Sequence, residues 1–272
     1  MAFNQQHAII TGGSSGIGKA TAKLLASQGA NISIIARSMA KLEAAKAEII
    51  SAFPNSAVFT VAADVADRVQ AEQAIAAAIA QQGAPDILIT SAGIAHPGYF
   101  QELPLEIFER TMAVNYFGTL YCIKAALPAM EQRQRGSIVL ISSGAGLIGI
   151  YGYTPYSPSK FALRGLAESL RGELKVAGIQ VAIVYPPDTD TPQLVEENKT
   201  KPPETQQITA SAETWSAENV AIAIVKGIEK KQFAIAPGTE MSILHKLHSL
   251  IHPILNWQFD QIVTKVRAGK KQ

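Results

Sequence analysis

Apolar runs of strand length alternate with longer stretches of helical period along most of the 272 residues. The runs fall at 8–11, 31–36, 57–63, 86–90, 137–142, 179–185 and 233–236. Ile138-Val139-Leu140-Ile141 and Val181-Ala182-Ile183-Val184 are apolar without alternation. That pattern suits strands covered on both faces of a parallel sheet. Helical patterns occupy 16–28, 39–53, 66–82, 105–130, 155–177 and 217–230, and Gly29, Pro54, Gly83 and Gly178 close four of them. Glycine accepts the left-handed turn that ends a helix, and proline cannot continue one. The stretch 105–130 is expected to bend near Pro128. Strict strand–helix alternation predicts an α/β fold, a doubly wound seven-stranded parallel sheet with helices on both faces. A closed eightfold barrel shows similar alternation but needs an eighth strand.

Two segments break the rhythm. Residues 187–215 are polar, carry several prolines and lack a clear period, which predicts a long loop or lid over a site. Residues 241–267 place Leu244, Leu247, Leu250, Ile251, Ile254 and Leu255 at helical spacing, with Lys246, Lys265, Arg267 and Trp257 among them. One apolar stripe results. It is read first as a docking face for the protein body or another subunit, and second as a surface for peripheral membrane contact. The domain reading is therefore one catalytic domain over 1–240, with the lid, and a C-terminal amphipathic helical extension over 241–272. His245, His248 and His252 share one side of that helix. Without further ligand types they read as a polar face, and no metal site is expected.

Composition changes little. Hydrophobic residues make up 47% and the formal charge is +2, so a sizeable core is expected and no nucleic-acid partner is. Cys122 lies in an apolar stretch and reads as a small buried hydrophobe. Met1 to Gln6 is short and polar, whereas a secretory leader needs an apolar region of roughly 7–15 residues. The expected location is cytoplasmic, peripheral on a membrane surface if the C-terminal stripe meets lipid.

The first strand runs into Thr11-Gly12-Gly13-Ser14-Ser15-Gly16-Ile17-Gly18. Glycines here let the backbone approach a pyrophosphate, and the helix opening at Gly16 aims its amides at it. This is the turn of a Rossmann-type dinucleotide site. A site for NAD usually places a carboxylate at the end of the second strand, whereas this chain has Arg37, whose planar fork suits a 2′-phosphate. The expected cofactor is therefore NADP(H). Asp64 and Val65 follow the third strand and Ser91-Ala92-Gly93 the fourth. These are C-terminal strand ends, where the cofactor lies in such sheets. Asp64 suits either the adenine amino group or the cap of the next helix.

Ser143 follows the fifth strand, Tyr156 comes 13 residues later, and Lys160 stands four further on, on the same helical face. Ketone reduction needs an acid for the developing alkoxide. A free tyrosine, with a pKa of about 10, is too weakly acidic, and the nearby Lys160 ammonium is expected to pull that pKa down. A serine hydroxyl orients the carbonyl oxygen. Together Thr11–Gly18, Ser91-Ala92-Gly93, Asn115, Ser143, Tyr156 and Lys160 resemble the short-chain dehydrogenase/reductase family over roughly residues 5–237. The resemblance implies that Tyr156 protonates the carbonyl oxygen and that Lys160 also orients the cofactor ribose. It implies that Asn115 anchors a water in a proton relay with the lysine. It also implies that Pro186, Thr189 and Thr191 hold the nicotinamide carboxamide, and that the chain forms a homo-oligomer, a dimer or tetramer.

Within that family, Tyr156-Ser-Pro-Ser-Lys-Phe-Ala-Leu-Arg-Gly-Leu-Ala-Glu-Ser-Leu and Tyr185-Pro-Pro-Asp-Thr-Asp-Thr-Pro resemble 3-ketodihydrosphingosine reductases. So do the run from Glu196 to Pro202 and Glu204-Thr205. The implied activity is NADPH-dependent reduction of the 3-ketone of a long-chain 2-amino-1-hydroxy ketone, 3-dehydrosphinganine to sphinganine. The alternatives are a reductase of another apolar carbonyl (fatty-acyl, steroid or retinoid-like) and a non-catalytic NADPH-binding sensor.

Overall fold

The structure, a computed structural model, describes residues 2–210 and 212–269. The first half of the chain is β1 (His7–Thr11), α1 (Gly16–Ser27), β2 (Asn31–Ala36), α2 (Met39–Ala52), β3 (Val58–Ala62), α3 (Arg68–Gln82) and β4 (Ile87–Thr90). Then come α4 (Leu105–Met112), a π-helical turn over Ala113–Phe117, α5 (Gly118–Gln132), β5 (Gly136–Ile141), α6 (Tyr156–Leu174) and β6 (Ile179–Val184). The last part holds β7 (Thr189–Asp190), α7 (Pro192–Thr200), α8 (Pro203–Thr209), β8 (Trp215–Ser216), α9 (Ala217–Glu229), β9 (Ala234–Ile235) and α10 (Gly238–Gly269).

Seven strands pair in parallel in the order β3-β2-β1-β4-β5-β6-β9. This is the expected Rossmann-type sheet. The lack of alternation in its strands follows from two separate apolar layers. Ile9, Leu88, Ile138 and Leu140 face Ile75 of α3, Ile123 of α5 and Leu163 of α6. Their neighbours Ile10, Ile89 and Val139 join the opposite layer with Leu25 of α1, Leu42 of α2 and Ile224 of α9. Every second residue of a strand thus meets one layer and the rest meet the other. Cys122 is buried in the first layer, where burial pushes its thiol up to about 12. Chain order reverses between β1 and β4, and the crevice beyond their C-terminal ends is the natural ligand site of such a sheet.

Three elements depart from the pattern read in the sequence. The segment 187–215 is not an irregular loop. It holds α7, α8 and the small parallel pair β7–β8. The prolines that suggested a breaker instead open helices, because Pro192 and Pro203 stand in the first helical turn, where a missing N–H costs nothing. Thr191 caps α7 by accepting from the Leu194 N–H. Between α4 and α5 the irregular turn lies at 113–117, whereas Pro128 sits inside α5. The helix over the C-terminal extension is longer than expected, and Pro253 lies within it.

One face of α10 docks on the body. Met241 and Leu244 are buried, and Ile251, Leu255 and Phe259 pack on the same core layer. The His245 ring stacks on Tyr185 with centroids 5.3 Å apart, and His248 Nε2 lies 3.2 Å from Arg164. At its far end Arg267 donates to the Tyr151 hydroxyl at 2.8 Å and stands 3.6 Å from Glu204 on α8. The other face exposes Ile243, Leu247, Leu250, Ile254 and Trp257. Among the described residues, no helix is long and apolar enough to cross a membrane, and no three His, Cys, Asp or Glu side chains gather as a metal site would require.

Candidate active site

A cleft of about 330 Å³ opens above the C-terminal ends of β1, β4 and β5. The turn between β1 and α1 forms its floor. Gly12 adopts φ +68°, and a Cβ there would lie 2.8 Å from the Ala92 N and the Ser91 O. A Cβ on Gly18 would lie 2.4 Å from the Gly12 carbonyl. The glycines therefore bring the turn, the helix and the strand β4 loop together. Ser14, Ser15, Gly16 and Ile17 line the cleft, whereas Gly18 packs beneath it. The Ser15 side chain does not cap α1, and no acid stands in its first turn. The leading amides of α1 are thus left for an anion, as a dinucleotide phosphate requires.

Arg37, exposed just past the end of β2, lines one end of the cleft with Ser38 and Lys41. Asp64 and Val65 face them. Asp67, not Asp64, caps α3. The Asp64 carboxylate accepts from the Ala66 N–H and pairs with Arg110. Burial pulls its pKa upward, but the Arg110 and Ala66 hydrogen bonds and the charges of Arg110 and Arg37 outweigh burial and hold it below the ordinary value. At the opposite end Ser91, Ala92 and Gly93 meet Pro186, Thr189 and Thr191. Pro186 fixes its loop by accepting from the Gly144 N–H at 3.2 Å. The pieces that would hold a nicotinamide dinucleotide thus surround one space.

Ser143, Tyr156 and Lys160 stand together on the wall of that space. The Ser142 hydroxyl donates to the Lys160 carbonyl at 3.1 Å, so α6 is pinned to the end of β5. Ser143 and Gln193 line the same cleft as Tyr156 and pull its pKa down, but burial first, and the charge of Glu197 second, raise it. The pKa is thus raised, not lowered as the nearby ammonium led one to expect, because burial outweighs the lysine, and the phenol keeps its proton. Lys160 Nζ donates to the Ile141 carbonyl at 2.9 Å and lies 5.4 Å from the Tyr156 ring centre. Burial pulls its pKa down to about 8, opposed by Glu197.

Asn115 lies behind the cleft, in the π turn. Its Oδ1 accepts from the Ile94 N–H at 2.9 Å, and its Nδ2 donates to the Ile94 carbonyl at 3.0 Å and to Ser159 Oγ at 2.8 Å. Ser159 in turn donates to the Tyr156 carbonyl at 2.6 Å. The wide turn thus lets one side chain join the β4 loop to α6.

Residues 6–202 match the short chain dehydrogenase family. The chain belongs to that family. This short-chain dehydrogenase is 42% identical over 267 residues to a 3-dehydrosphinganine reductase of Danio rerio, covering 96% of this chain and 80% of the relative. It is 43% identical over 277 residues to a 3-ketodihydrosphingosine reductase of Dictyostelium discoideum, covering 96% and 83%. Its fold is similar to the crystal structure of levodione reductase, with a TM-score of 0.81 at 25% identity, covering 88% and 99%. The dehydrogenase is thus an oxidoreductase by family.

Sequence reasoning missed three groups in its site. Gln193 and Glu197 are one helical turn apart on α7, and both line the cleft. The Glu197 Oε1 accepts from Gln193 Nε2 at 2.8 Å, and its Oε2 accepts from the Tyr153 hydroxyl at 2.7 Å. The four-residue spacing was a signal, but only with α7 in place over the cleft. Beside the cleft, an apolar cavity of about 370 Å³ runs beneath α10. Ile148 and Ile150 line it on the body side, and Ile208, Leu244, Ile251 and Phe259 on the other. Ser143, Pro187 and Asp188 border both spaces.

Proposed function

We propose that the protein reduces the 3-ketone of a long-chain 2-amino-1-hydroxy ketone, 3-dehydrosphinganine, to the alcohol with NADPH. The observation that carries this reading is the confluence of two unlike spaces at Ser143. One is the cleft built on the glycine turn, with the Ser143 and Tyr156 side chains on its wall, and the other is a more apolar cavity walled by α10. A ketone placed at the junction has its tail in the apolar space and its carbonyl on the Ser143 and Tyr156 hydroxyls. The names of the relatives support the same substrate.

A bound nicotinamide dinucleotide supplies the hydride. Ser143 holds the carbonyl oxygen, and Tyr156 donates its proton as negative charge grows there. The Lys160 ammonium stabilises the phenolate left behind and would hold the ribose of a bound cofactor. Asn115 holds the β4 loop against α6 and supports a relay that returns the proton. Arg37 binds the 2′-phosphate. The lid helices and α10 keep water from the junction.

The test is oxidation of NADPH by the purified protein with 3-ketodihydrosphingosine in mild detergent, beside NADH and a short acetoacetyl thioester. Turnover of the amino ketone with NADPH is expected to exceed both. In Arg37→Ala the KM for NADPH is expected to rise roughly tenfold or more, as a charge-assisted pair is lost, with the KM for NADH little changed. Activity confined to another ketone would refute the substrate reading.

A further inference from the structure

Glu197 is a buried acid that neither gives nor takes a proton in the reaction proposed above. It is 8% exposed and turns into the catalytic cleft from α7. Its two hydrogen-bond partners, Tyr153 and Gln193, are both neutral. Lys160, whose charge Glu197 feels, is committed to the Ile141 carbonyl. A desolvated carboxylate held only by neutral donors is costly unless a cation completes it.

We propose that Glu197, framed by Tyr153 and Gln193, binds the ammonium group of a substrate that carries an amine on the carbon next to the reacting ketone. This rests on the reductase reading above and names the group by which the site selects its substrate. Tyr153 sets the distance. Its hydroxyl donates to the Glu197 carboxylate at 2.7 Å, and its ring packs 5.7 Å from the ring of Tyr156. The carboxylate and the group that protonates the ketone therefore face one space, lined by both. An α-ammonium stands one carbon from that ketone, so both groups of one substrate are met together. Each carboxylate oxygen has a further lone pair for the N–H donors. Neutralising Glu197 also removes one of the charges that hold the Tyr156 proton. Amine binding therefore eases proton release as well as fixing the substrate.

The experiment compares the wild type with Glu197→Gln, using NADPH. The substrates are 3-ketodihydrosphingosine and the matched 1-hydroxy-3-ketone without the amine. The wild type is expected to prefer the amine-bearing ketone in kcat/KM. The substitution is expected to shrink that preference roughly 10- to 100-fold, the loss of a charge-assisted bond. An unchanged preference in a variant that still binds NADPH overturns the ammonium site. Should the variant lose NADPH binding, the wild type decides by competition. A long-chain primary amine is expected to inhibit more strongly than the matched neutral alcohol, and equal inhibition overturns the site. A wild type that reduces both ketones equally well overturns the ammonium site alone. A wild type that reduces neither overturns the substrate reading beneath it.

Discussion

In the proposed reaction Tyr156 has two tasks in order: to keep its proton until a ketone arrives, and to release it as the alkoxide forms. Burial and the Glu197 charge serve the first, and the neighbouring Ser143 and Gln193 side chains serve the second. Tyr156→Phe removes the hydroxyl but keeps the ring that packs against Tyr153 at 5.7 Å. Turnover is expected to fall roughly 10²- to 10⁴-fold, the usual reach of a positioned acid. NADPH binding, followed by its fluorescence, is expected to persist. Near-normal turnover would refute the assigned role. The spacing of Tyr156 and Lys160 was legible because both lie within one helical turn, where local geometry fixes the separation. Glu197 was not legible in the same way. Its place depends on α7 folding back over the β5 end, a contact between distant parts of the chain.

At the scale of elements, α10 divides its apolar residues between two duties. Leu244, 7% exposed, packs in the core layer and walls the apolar cavity, whereas Leu250 is 75% exposed. Leu244→Ala is expected to cost about 2 kcal/mol or more, since a buried side chain is lost. Leu250→Ala is expected to change stability by less than about 0.5 kcal/mol. Denaturant unfolding of both variants checks the contrast, and similar losses would mean that α10 is not docked as described. The helical period of this stretch was plain in the sequence, but which side faced inward was not. The apolar residues, read as one stripe, divide between a docked side and an exposed side, and the stacking of His245 on Tyr185 and the seating of Leu244 mark the docked one. The lid helices were missed because their prolines were weighed as breakers, when the position of a proline within a turn decides its effect.

For the molecule as a whole, two histidines tie stability to pH. His7 is buried at the start of β1, with Nδ1 2.7 Å from the Gly83 carbonyl and Nε2 2.8 Å from Ser33 Oγ. Burial is the largest influence on it and on His245, and both pKa values lie below the ordinary 6.5. The unfolded chain therefore takes up protons first as pH falls below about 6.5. The stability these groups contribute is full above that point and is lost below it. The melting temperature is expected to drop between pH 7.5 and 5.5, with α10 losing hydrogen-exchange protection as His245 charges. A flat profile would contradict both assignments. The seven parallel strands and their cover on both faces were readable throughout, since each depends on a repeating pattern, whereas the order of the strands is set by pairing between distant parts of the chain. The seat of the apolar cavity has a further consequence for how such enzymes diversify. The match to the family ends at residue 202, while the outer wall of the cavity begins at Gln207 and continues along α10 to Ile262. On the proposed reading, the groups that move the proton and the outer wall that fits the tail are thus written in successive stretches of one gene. Grafting the stretch after 202 from one such enzyme onto another is expected to shift the choice of tail while the recipient keeps its own way of moving a hydride.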